Sequence, residues 1–125
     1  MNTKLDAFFR AELDASAAAE ASGDMAAAWR ALERAHILSQ AFAVAHTRVH
    51  GAMFRFAFRR GDVREMLGQL PRLLLAAPGS LLGRAPLGNT GGANVGIFKP
   101  MPIPEDLKEK LALGAEPPAS GHVPR

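Results

Sequence analysis

Apolar residues recur along this chain at the helical period, not at the alternating period of a strand. Between Thr3 and Ser22, the residues Leu5, Phe8, Glu12, Ala15 and Ala19 fall on one stripe, which is one face of a helix at about 100° per residue. The stripe predicts a packing face of Phe8, Ala15 and Ala19 with Glu12 in its midst, and a carboxylate so placed needs a partner. Gly23 stops this helix and Asp24 caps the next. A second helix is predicted over 25–40, with Met25, Trp29, Leu32 and His36 inward and Arg30 and Arg34 on the solvated face. The 41–43 stretch breaks the pattern. A third helix over 44–60 turns His46, Val49, His50, Met53 and Ala57 inward and Arg48, Arg55 and Arg59 outward. Gly61 and Asp62 repeat the stop and cap. A fourth, over 63–77, places Val63, Met66, Leu67, Leu70 and Leu74 inward, with Pro71 as an internal irregularity.

After Ala77 the chain becomes rich in Gly, Pro and Asn, and the helical period returns only for a short last helix over 105–113. A stretch of that length without regular structure is usually functional or disordered. Leu81, Leu82, Val95, Ile97, Phe98, Met101 and Ile103 within it favour a defined path over the helices. The architecture expected is therefore all-α: two antiparallel helical hairpins packed as a small bundle, a Gly/Pro-rich wrapping segment and a short C-terminal helix. One domain over 1–113 is expected, with 114–125, including His122, as a disordered tail.

Composition narrows the chemistry. Cysteine is absent from the 125 residues, which excludes disulfides, iron–sulfur clusters, thiolate zinc sites and cysteine nucleophiles. A net charge of +3 arises from 15 basic and 12 acidic residues; the arginines interleave with apolar positions and form no dense stripe, so there is no specific nucleic-acid signal. No signal-like or membrane-spanning apolar run is present, and a cytoplasmic location is the expectation.

Three of the four histidines converge. His46 and His50 stand at i, i+4, a spacing that puts two imidazoles on one helical face within reach of one ion. His36, inward near the end of the preceding helix, can meet them, and inward Glu12 offers a fourth ligand or a hydrogen-bond acceptor for an imidazole. His36, His46, His50 and Glu12 are accordingly the candidate metal ligands, for a transition metal that could be zinc, iron, nickel or copper. The same residues also fit a structural polar network. ERAH, Glu33 to His36, matches one half of a di-iron carboxylate pattern, but a second copy is missing. Met53 beside an inward histidine is compatible with a haem. GNTGG, residues 88–92, lacks the strand, helix and Lys of a phosphate loop and is better read as a tight turn. Ser39 and Ser80 lack the nucleophile elbow of a hydrolase.

LERAHILSQ, HTRVH, PGSLLGR, GNTGGANV and PMPIPEDL, in this order, resemble a small bacterial family, domain of unknown function 3703, over roughly residues 3 to 112. GDMAAAWRALERAH further resembles the second half of a tetratricopeptide hairpin. The first resemblance implies a single helical domain and no particular chemistry. Two functions follow from the residues: a small helical protein that binds a transition metal at an inward histidine cluster, or a tetratricopeptide-like module that presents a surface to a protein partner. Neither decides whether the chain is an enzyme.

Overall fold

The computed structural model describes residues 1–83, 86–97 and 99–115. Its elements are α1 (Thr3–Ala21), α2 (Met25–Ser39), α3 (Ala43–Arg60), α4 (Val63–Leu81) and α5 (Glu105–Ala115), with no strand among the described residues. The fold is an all-α small bundle. α1 pairs with α2 and α3 with α4; α2 and α3 join the two hairpins, and α5 closes over α1 and α2. No described helix is long and apolar enough to cross a membrane. The segment expected as a tail lies outside the described residues from 116 onward, His122 included.

The two Gly-Asp turns have one construction. Gly23 and Gly61 take φ of 85° and 67°, the left-handed conformation that glycine adopts without a Cβ penalty. Asp24 N–H and Asp62 N–H then close back onto Ala19 O and Ala57 O, both at 2.9 Å. The two aspartate side chains accept from Ala27 N and Glu65 N at 3.0 Å, capping α2 and α4.

Two helices are rotated from the expected setting. In α1 the buried residues are Leu5, Phe9 and Ser16, one step round from the Phe8, Ala15 and Ala19 face. Phe9 packs with Ala35 and Val49, and Ser16 Oγ donates to Ala28 O at 2.9 Å, so two residues outside the apolar stripe fix the contact with α2. Phe8 is half-buried against the cluster of Leu5, Ile37, Leu38 and Leu107.

The second rotation is larger. α4 turns Val63, Leu67, Leu70 and Leu74 to solvent, between 46% and 78% exposed, and buries Gln69, Arg72, Ala76 and Ser80. The α3 face beneath carries His46 and His50, whose ring nitrogens need hydrogen-bond partners once buried. Only the polar side of α4 supplies them. The helix also runs through Pro71 and Pro78 to Leu81, longer than expected, and leaves Leu81 and Leu82 exposed. In α2 and α3, Leu32, His36, His46, Val49, His50, Met53 and Ala57 are buried as expected, whereas Met25 and Trp29 are half-buried and Arg34, expected on the solvated face, is half-buried too.

Residues 86–97 and 99–104 cover one side of the bundle. The expected wrap by apolar side chains is only partial: Val95, Ile97, Met101 and Ile103 are half-buried, and Phe98 lies outside the described residues. Polar hooks do most of the holding. Gln40 donates to Pro86 O at 2.6 Å and accepts from Gly88 N at 3.0 Å. Glu65 accepts from Ala93 N at 2.9 Å, and Arg72 donates to Val95 O at 2.7 Å. Asn89, 2% exposed, donates to Gly96 O and Lys99 O and accepts from Gly91 N, tying the segment to itself.

Candidate metal centre

His36 sits in the last turn of α2, and His46 and His50 lie in the first turns of α3. The intervening turn is tight enough for Phe42 N to reach Ser39 O at 2.9 Å and for His46 N to reach Phe42 O at 2.8 Å. The three imidazoles therefore meet at the point where the hairpins join. Their Nε2 atoms form a near-equilateral triangle: 3.0 Å from His36 to His50, 3.0 Å from His46 to His36 and 3.1 Å from His50 to His46. All three residues are buried, and their nitrogens are close enough together to hold one metal ion.

The Nδ1 partners determine where the ring protons are. His36 Nδ1 lies 2.6 Å from Asn89 O, and a carbonyl can only accept, so Nδ1 carries the proton. His50 Nδ1 lies 2.7 Å from Gln69 Oε1. The Gln69 amide donates to Glu65 Oε1 and Gly91 O at 2.8 and 2.9 Å, which fixes Oε1 as the atom facing the ring and leaves His50 Nδ1 as the donor. His46 Nδ1 lies 2.8 Å from Ser80 Oγ, whose own proton goes to Gln40 O at 2.6 Å. Ser80 must accept, so His46 Nδ1 donates. In the neutral rings every Nε2 is then a bare lone pair, and three lone pairs face one another at about 3 Å.

Protonation does not relieve this at neutral pH. Burial pushes the His36 pKa well below its ordinary value, reinforced by repulsion from His50 and His46. Burial likewise lowers His46, against a raising contribution from the Ala76 backbone, and lowers His50 to about 4, against a raising contribution from Gln69. The Arg72 charge adds to the lowering at His36 and His50.

Glu12 is not brought to this centre. Its Oε1 accepts from Arg34 Nε at 2.8 Å, and the same guanidinium also bonds Asp106 on α5. Arg34, expected on a solvated face, is thus an inter-helix bridge, and the carboxylate that the α1 pattern placed inward has its partner there. The Asp106 carboxylate raises the Arg34 pKa above its ordinary value. Glu33 also stays apart: burial raises its carboxyl pKa, opposed by a hydrogen bond from Thr90. Met53 belongs to the apolar cluster of Ala28, Leu32 and Phe56. Ser39 Oγ donates to His36 O at 3.1 Å, as a helix-end residue does. For Ser80 the proton polarity is the reverse of a hydrolase nucleophile's, because the imidazole donates to it.

A chamber of about 190 Å³ adjoins the cluster, bounded by the three histidines, Arg72 and the apolar side chains of Leu75, Ala76, Leu82 and Ile97. Arg72 is 8% exposed. Its guanidinium donates to Gly68 O and Val95 O, both at 2.7 Å, and it has no ion-pair partner among the described residues. The glycines of the 86–97 segment permit its close approach. Gly91, at φ 85°, lies against the His36 ring so closely that a Cβ would come within 2.6 Å of Cδ2.

Against known families, the model described as Protein of unknown function (DUF3703) matches residues 3–111. The chain belongs to this family. The DUF3703 match spans all five helices apart from the last residues of α5, so the histidine centre and the segment that covers it both fall inside it. Neither the comparison with curated proteins nor that with solved structures gives a match.

In this DUF3703 chain, sequence reasoning found the three histidines and missed the groups that orient them, Gln69, Ser80, Asn89 and Gly91, together with the buried Arg72 beside them. A signal for three of them was present. Gln69, Arg72, Ala76 and Ser80 recur at helical spacing opposite the leucine stripe, and a stripe of polar and small residues suits a helix that must pack on buried imidazoles. The Asn89 and Gly91 contacts depend on main-chain geometry, for which the glycine density of residues 88–92 is the only sequence trace.

Proposed function

We propose that this protein binds a divalent transition metal through Nε2 of His36, His46 and His50. The observation that carries the reading is the convergence of three unprotonated Nε2 atoms, each held in that tautomer by an acceptor at Nδ1. Lone pairs so arranged repel one another, and a cation among them turns the repulsion into bonding. Hydrogen-bonded Nδ1 groups of this kind are the usual support for histidine ligands. With Nε2 separations of 3.0 to 3.1 Å, His36, His46 and His50 would hold one such ion together, and the ion would supply a Lewis-acidic centre there. A purely structural network accounts less well for the centre, because it gives the three Nε2 atoms nothing to bond. Three neutral nitrogen donors suit zinc, iron, nickel or copper alike.

The test is metal analysis and titration of the untagged protein, alone and as His36→Ala, His46→Ala and His50→Ala. Stoichiometric uptake of Zn(II) or Co(II) by the wild type, lost in each folded variant, is expected. A wild type that takes up neither ion refutes the reading. So do three variants that bind as the wild type does.

The outward stripe of Val63, Leu67, Leu70 and Leu74 favours a second role, as a tetratricopeptide-like interaction surface on α4. Sedimentation of the wild type and of a Leu67→Glu/Leu74→Glu double variant tests it; association that the double variant abolishes supports it, and two monomeric proteins speak against self-association through this face.

A further inference from the structure

The charges around the centre do not balance. Three neutral imidazoles leave a divalent ion its full charge, and Arg72, buried against carbonyls alone, adds another. Among the described residues, no carboxylate lines the chamber beside them. Glu65, whose field reaches Arg72, has its oxygens bonded to Ala93 N and to the Gln69 amide. It offsets one charge at most. Excess positive charge beside side chains as buried as His36, His46, His50 and Arg72 is costly unless an anion enters with it.

The chamber walls specify the rest of that anion. Leu75, Ala76, Leu82, Pro78 and Ile97 give it a mostly apolar lining, and its volume is about 190 Å³. An enclosed cavity of about 150 Å³ holds a six-carbon ring, so this pocket, which opens to solvent past Leu75 and Leu82, has room for a short chain. A hydroxide or chloride would satisfy the charge and leave the apolar walls without contacts, whereas a short hydrocarbon chain bearing one anionic group satisfies both.

We propose that the chamber binds a short aliphatic carboxylate, its oxygens on the metal and toward Arg72 and its chain against Leu75, Leu82 and Ile97. This rests on the metal reading above. Arginine suits the role because its guanidinium stays charged when buried and matches a carboxylate's geometry.

The experiment uses the untagged full chain loaded with Co(II), whose visible absorption reports the coordination sphere, titrated with acetate, butyrate, hexanoate and the neutral butyramide. Saturable spectral changes are expected with the carboxylates, with butyrate tighter than acetate by up to about 15-fold for its two extra methylenes. Butyramide should bind at least about tenfold more weakly than butyrate, and Arg72→Gln should weaken butyrate by about as much while Co(II) uptake persists. If Co(II) binds and no carboxylate alters its spectrum, or butyramide equals butyrate, the carboxylate proposal is wrong and the metal reading stands. If Co(II) does not bind at all, both fall. Should Arg72→Gln fail to fold, the chain-length series and the butyramide comparison in the wild type decide the matter by themselves.

Discussion

His50 and Gln69 form a donor–acceptor pair across the α3/α4 contact, with Nδ1 2.7 Å from Oε1 and the Gln69 amide bonded to Glu65 and Gly91. One fully buried side chain thereby sets the tautomer of a candidate ligand and ties it to the covering segment. Gln69→Leu removes the acceptor, frees His50 to carry its proton at Nε2, and leaves the buried Gly91 carbonyl without the donor it had in the Gln69 amide. Metal affinity should fall by about 10- to 100-fold, with a stability loss of about 1–3 kcal/mol. Calorimetric titration beside urea unfolding checks both; unchanged affinity would mean that Gln69 does not orient the ligand.

The metal-free protein should lose stability in mild acid. Unfolded imidazoles take up protons near pH 6.5, whereas folded His50 does so only near about 4, and His36 and His46 are lowered in the same direction. A folded pKa below the unfolded one gives stability that is present above pH 6.5 and lost as pH falls through that window. The surrounding groups agree in sign. Arg72 from α4 and the neighbouring histidines oppose a proton, and Gln69 only partly favours one. His50 alone corresponds to about 3 kcal/mol between the two pH limits. Urea midpoints at pH 7, 6 and 5 measure the slope, and a flat profile would show that the imidazoles are not buried as neutral groups. In the metal-loaded protein the ion should leave over the same acid range, because protons compete for the same nitrogens.

Glu12→Gln should leave metal uptake unaltered. The carboxylate serves Arg34, which is 30% exposed at its side chain and also bonded to Asp106, so the loss is that of a partly screened ion pair, about 1 kcal/mol or less. Thermal unfolding and Co(II) titration in parallel are sufficient. Weaker Co(II) binding by the variant would return Glu12 to the centre.

Helix existence and the Gly-Asp boundaries were legible in the sequence, because stop residues and caps are local chemistry. The three histidines were legible because an i, i+4 pair and one imidazole in the preceding helix need only helical geometry to converge. Helix rotation was less so. An apolar stripe is informative only when hydrophobic burial decides which face turns inward, and in α4 the hydrogen-bonding demand of His46 and His50 decides instead. Glu12 failed for a related reason: its partner Arg34 is 22 residues away, on a helix whose rotation relative to α1 the apolar stripe had set one residue off.

Gly91 offers the sharpest probe of how the covering segment holds the centre. A Cβ at this position would stand 2.6 to 2.8 Å from three atoms of the His36 ring, and the backbone is in the left-handed region at φ 85°. Gly91→Ala must therefore displace either the ring or the segment, and both carry hydrogen bonds: His36 Nδ1 to Asn89 O, and Gly91 O from Gln69. A cost of about 2–4 kcal/mol is expected from the overlap and the backbone strain together, with weakened metal uptake because the His36 and His50 supports are lost at once. Gly96→Ala serves as the control, since a Cβ there meets only Lys99 Cβ at an ordinary 3.6 Å. It should remain close to wild type in both stability and uptake. Equal behaviour of the two variants would mean that the 86–97 segment does not press on His36, and the tautomer assignment at that ring would lose its principal support.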